Sequence, residues 1–191
     1  MKMLHFPHFH GWDYLAHSHM PVARMFLLYA LPLSLVPPLM IYYAGTNYGG
    51  ELLPEFTRSQ LQSIGVVFFL AETAMLFLMA TVIQRLGEVI DIKPSYADAF
   101  KLAVMAPTPL WLAPLAMFIP SFAVVLTVGA LAIFAAGSLI YFAAPVIFNI
   151  QEKGRAVLLS GTIYAAGLVA WAAMMYLTLI TWSLVTSTLS F

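Results

Sequence analysis

The sequence predicts an all-α polytopic membrane protein, a bundle of five transmembrane helices preceded by an N-terminal interfacial segment. Three observations carry that prediction. Hydrophobic residues make up 62% of the 191 and charged residues 8%, against about 45–50% and about 25% in soluble domains. Mostly apolar stretches of the roughly 20 residues needed to cross a bilayer core recur five times. Charges collect in the connections between them, and the stretch 122–148 contains none.

Taken in order, residues 1–22 are amphipathic rather than apolar. Phe6, Phe9, Trp12, Tyr14 and Leu15 are interleaved with Asp13 and histidines at 5, 8, 10, 17 and 19. Aromatic side chains favour the headgroup layer, so the segment is expected to lie on the membrane surface. His5, Pro7 and His8 break any signal-peptide core at the outset, and the N-terminus is expected to be retained. Residues 23–191 form the transmembrane domain. Its first span, 24–44, contains Pro32, Pro37 and Pro38; each lacks a backbone donor, so a kinked helix is expected.

Residues 45–62 supply the turn formers Asn47, Gly49, Gly50 and Pro54 with Glu51, Glu55 and Arg58. The second span, 63–83, is interrupted at its middle by Glu72. Charges return as Arg85, Glu88, Asp91, Lys93 and Asp98, and Pro94-Ser95 marks a helix start. The third span covers 96–118 and the fourth 122–148. Ile119-Pro120-Ser121 between them is too short for anything but a tight hairpin. The fifth span covers 157–183, and the tail after it is short and uncharged.

Five spans place the termini on opposite sides. Lys2, Arg24, Arg85, Lys93, Lys101, Lys153 and Arg155 fall on the N-terminal side and Arg58 alone on the other. The positive-inside tendency then predicts a cytoplasmic N-terminus and an outside C-terminus in a cytoplasmic (inner) membrane. The formal net charge is zero, so no global field suggests nucleic acid as a partner. The absence of cysteine excludes disulfides, thiol catalysis and thiolate metal sites. No internal duplication of the kind that marks many transporters is seen.

Glu72 is the sharpest single candidate, because intramembrane carboxyls face protein or water and are functional candidates by default. Its neighbours at helical spacing, Phe68, Phe69, Met75 and Leu76, are all apolar, so a partner must come from another helix. A proton- or ion-coupling role and a role as structural glue both stay open. His8, His10, His17 and His19 invite a metal reading. Their two-residue spacing suits an extended chain rather than a helical site, and a titratable aromatic segment at headgroup level is favoured. Pro107, Thr108 and Pro109, followed by Trp111 and Pro114, mark a helix break that serves either as a packing kink or as a cavity lining; the kink is favoured. Ala132/Ala136, Gly161/Ala165 and Ala166/Ala170 give small residues at four-residue spacing, which allows close helix approach in a bundle or a dimer. Hydrolase, phosphate-loop and zinc-protease motifs are absent, so neither an enzyme nor a cofactor is expected.

The paired-proline segment, the small-residue helix ending Tyr141-x-x-x-Pro145-x-x-x-Asn149 and the turn Gln151-Glu152-Lys153-Gly154-Arg155 together resemble the bacterial branch of the Yip family. The eukaryotic relatives of that branch are Rab-interacting membrane proteins. The similarity runs from about Tyr96 to Trp182. It implies the same orientation, a functional face at Tyr141, Pro145 and Asn149, and a non-enzymatic accessory, scaffold or subunit that organises membrane lipids, another membrane protein or a homo-oligomer. The long cytoplasmic N-terminal domain of many eukaryotic members is reduced to about 22 residues, so GTPase binding is not carried across. The alternative is a small proton- or ion-coupled transporter or channel using Glu72.

Overall fold

A computed structural model describes residues 20–51 and 55–187. The histidines at 8, 10, 17 and 19, with the rest of the interfacial segment up to residue 19, lie outside the described residues. Among the described residues, five helices are long and apolar enough to cross a membrane. They are α1 (Val22–Asn47), α2 (Arg58–Val89), α3 (Tyr96–Phe118), α4 (Phe122–Ile147) and α5 (Lys153–Ser187).

The prolines shape α1 from within. Pro32 has no N–H for the carbonyl four residues back, and the chain widens into a π-helical turn over Phe26–Ala30, closed by Leu31 N–H reaching the Phe26 carbonyl. The helix resumes over Leu31–Ser34 and Val36–Asn47. At the Pro37-Pro38 pair it packs on α2, where a Cβ at Gly65 would stand 3.5 Å from the Pro38 ring, in ordinary van der Waals contact.

The second helix outruns the expected 63–83 at both ends because its flanks are polar but helix-forming. Its N-terminus is fixed by a capping box, with Gln60 N–H donating to Thr57 Oγ1 at 3.3 Å and Thr57 N–H to Gln60 Oε1 at 2.7 Å. At the other end Ile92 N–H bonds the Gly87 carbonyl at 2.9 Å and Asp91 N–H that of Glu88 at 3.2 Å, with Asp91 at φ 59°. That is a Schellman ending. The fifth helix likewise begins at Lys153 rather than 157, with Arg155 and Glu152 paired at 2.9 Å on the surface.

The second helix is the hub: α1, α3 and α5 pack on it, and α4 closes the bundle against α3 and α5. Because the helices alternate in direction, Arg24, Arg85, Lys93, Lys101, Lys153 and Arg155 gather at one end, called proximal here, and Arg58 at the distal end. Among the described residues the proximal core is large, with Phe100, Ile83, Trp111, Ile140 and Leu159 among 16 that are buried, and a separate distal core has four, Ile41, Ala44, Leu61 and Ile64.

Candidate functional site

Glu72 lies near the midpoint of the 32-residue α2, and the residue it meets is delivered by the break in α3. The α-helix of α3 ends at Met105, restarts over Thr108–Leu112 and tightens to a 3-10 helix over Ala113–Phe118. Pro109 cannot donate to the Met105 carbonyl. The Thr108 hydroxyl donates to it instead at 2.8 Å, while Trp111 N–H bonds the Pro107 carbonyl at 2.9 Å. With its proton committed to Met105, Thr108 Oγ1 accepts from the Tyr29 hydroxyl at 2.8 Å. Tyr29 belongs to the π-helical turn of α1, so the irregular turns of two helices are tied to each other.

Restarting the helix swings Trp111 into the bundle, where it is 2% exposed. Its indole N–H donates to Glu72 Oε1. Glu72 Oε2 and the adjacent Thr73 Oγ1 are buried without a hydrogen-bond partner among the described residues. The arrangement can do two things. It ties α2 to the interrupted α3 through one charge-assisted or polar bond, and it keeps one carboxylate oxygen available to a proton or another donor. Among the described residues, no three His, Cys, Asp or Glu side chains come together as a metal-holding group.

The sequence demanded a partner for Glu72 from another helix without identifying it as Trp111, and it gave no hint of Tyr29. A signal for the first was present. Glu72 and Trp111 each lie 19 residues from the Asp91-Ile92 turn, so an antiparallel α2–α3 hairpin brings them to the same depth. Pro107, Thr108 and Pro109 do form a break, and its freed carbonyl at Met105 is already occupied by Thr108.

Tyr141, Pro145 and Asn149 are not joined on one helical face. The α-helix of α4 ends at Ile147, and Asn149 stands beyond it at φ 49°. Ile150 N–H bonds the Pro145 carbonyl at 2.9 Å and Asn149 N–H that of Val146 at 3.3 Å, the same Schellman pattern as at Asp91. Asn149 is therefore the left-handed residue that stops the helix. Asn149→Gly is expected to leave stability unchanged or slightly raised. Asn149→Val is expected to lower it by about 1–2 kcal/mol, as read by thermal unfolding in detergent. Tyr141 is half-exposed, its hydroxyl 3.1 Å from where a Cβ on Gly161 would lie.

Of the small-residue pairs, Ala132 and Ala136 are buried, whereas Ala165 is exposed on α5. The close α4–α5 approach also uses Gly137, which lies under the Tyr164 ring.

Comparison with known families matches residues 2–174 to the Yip1 domain. The match takes in Glu72, the α3 break and the end of α4, and it starts well before the stretch from Tyr96 that carried the resemblance. No curated protein and no solved structure matches the chain.

Proposed function

The chain belongs to the Yip1-domain family, and from that premise we propose that it is a non-enzymatic accessory or scaffold protein that organises other membrane proteins, copies of itself or lipids through helix–helix contacts. In this reading it sits in a cytoplasmic membrane with its N-terminus cytoplasmic and its C-terminus outside. The charge distribution supports the orientation, with six basic residues at the proximal end against Arg58 at the distal.

The observation that carries the scaffold reading is the exposure of α5. Only 11% of its most apolar stretch is buried in the bundle, and it packs chiefly on α2 and α4. Its outer side presents Leu158, Val169, Tyr176 and Leu179, between 58% and 70% exposed, alternating with exposed Thr162, Ala165 and Ala172. The three- and four-residue spacing puts all seven on one side of the helix, and the small residues let a second helix approach closely. Mild-detergent or nanodisc purification from native membranes, followed by mass spectrometry, is expected to recover a stoichiometric partner or a homo-oligomer. Recovery as a free monomer only would contradict the proposal.

One observation favours a second reading, a small proton- or ion-coupled transporter: Glu72 Oε2 is buried without a hydrogen-bond partner among the described residues, mid-way along α2 beside an interrupted helix. That reading predicts that Glu72→Gln abolishes a pH-dependent flux in liposomes while the fold is kept. A flux unaltered by the substitution would rule it out.

A further inference from the structure

The two interrupted helices break at the same level. The Leu31–Ser34 turn of α1 touches Thr108–Leu112 of α3 and also α2, and Tyr29 reaches Thr108 at 2.8 Å. On the distal side of these breaks the two chains travel together. Val36–Asn47 packs on Ala113–Phe118, the Tyr43 and Phe118 rings meet at 5.0 Å edge to face, and the Tyr48 hydroxyl reaches the Phe118 carbonyl at 3.4 Å. By contrast α2 and α5 run unbroken through both levels.

The two levels also differ in the size of their cores. Among the described residues the distal core has four buried residues where the proximal core has 16, and in a bilayer it is close packing and hydrogen bonding between helices that hold them together. Trp111 sits at the border, on the distal side of the α3 break yet counted in the proximal core, and its bond to Glu72 joins the two levels.

We propose that the distal halves of α1 and α3, Val36–Asn47 and 108–118, are one gate that swings on the paired breaks and, when open, admits water to Glu72 Oε2, with the Trp111–Glu72 bond as its latch. The gate goes beyond the scaffold reading and does not depend on it. Two helices broken at one depth and coupled side by side give a hinge in which few backbone bonds need to be lost, and the unpartnered oxygen belongs to the same carboxyl group that Trp111 holds.

The sequence contains no cysteine, so single cysteines report cleanly on water access. In nanodiscs, Thr73→Cys, next to Glu72 at a half-buried position whose hydroxyl is buried, is expected to react slowly with a membrane-impermeant thiol reagent. Adding Trp111→Phe is expected to raise the rate about tenfold. Ser160→Cys, fully buried between Leu159 and Ile163 of the proximal core, is expected to stay unreactive in both backgrounds. In the unaltered chain, amide hydrogen exchange is expected to be about tenfold faster over 36–47 and 108–118, in step with each other, than over 96–105. A Thr73→Cys rate indifferent to Trp111→Phe would overturn the latch. Equal protection on both sides of the breaks, or distal halves of α1 and α3 that exchange independently, would overturn the gate.

Discussion

Replacing Trp111 by alanine is expected to lower the stability of the bundle by about 3–5 kcal/mol, the range for truncating a large buried aromatic. The indole is 2% exposed, belongs to the larger core and fills the space opened by the α3 break. Removing it leaves a cavity where α3 has no continuous backbone ladder to resist collapse. It also strips Glu72 of the indole donor and leaves both carboxyl oxygens buried and unsatisfied, a further cost. Trp111→Phe keeps most of the volume and loses the N–H, so its cost is expected to be about 1–2 kcal/mol. Reversible unfolding in mixed micelles measures both. An alanine variant no less stable than the phenylalanine variant would show that Trp111 is not packed as described.

Gly137→Leu is expected to be the most damaging change between α4 and α5. A Cβ at Gly137 would lie 2.9 Å from the Tyr164 ring, closer than van der Waals contact allows, and a leucine adds three more carbons to that space. The ring is not free to leave at no cost, since its hydroxyl reaches the Ile133 carbonyl at 3.4 Å. Around it Ala132, Ala136 and Ile140 are already buried. The helices must separate or the ring must turn out, at about 2–3 kcal/mol. The control lies on the same helix: at Gly129 an added Cβ meets no atom within 4 Å among the described residues, and Gly129→Leu is expected to be close to neutral. A thermal-shift series in detergent separates the two sites. Equal effects at both positions would mean that α4 and α5 are not held together through Gly137.

How far the sequence led depends on which forces act locally. Length and apolarity are one-dimensional properties, so the five spans could be read directly, and the prolines announced the breaks in α1 and α3. Helix ends were harder. The polar flanks 58–62 and 84–89 are good helix formers, and α2 runs on through them after leaving the apolar stretch. Asn149 shows the opposite error: four-residue spacing from Tyr141 and Pro145 suggested a shared face, but Pro145 lies close to the helix end and Asn149 takes the left-handed turn just past it. Burial was the least legible, because in a membrane an apolar side chain costs little whether it faces lipid or protein. Ala132 and Ala136 are inside while Ala165, with the same spacing signature, is outside. Glu72 stood out because a carboxyl is expensive anywhere in hydrocarbon; its partner did not, because a tryptophan in a membrane helix is unremarked until a donor is needed at that depth.

Glu72 and Trp111 act as a pair that ties α2 to the interrupted α3. A double-mutant cycle tests this most directly, with Glu72→Met, which removes the acceptor at similar volume, Trp111→Phe and the double variant unfolded reversibly in the same micelles. The tie predicts a coupling of about 0.5–2 kcal/mol, the double variant losing less than the sum of the single ones. Single effects that add to within about 0.3 kcal/mol would mean that the two side chains do not hold each other, and would contradict the site described here.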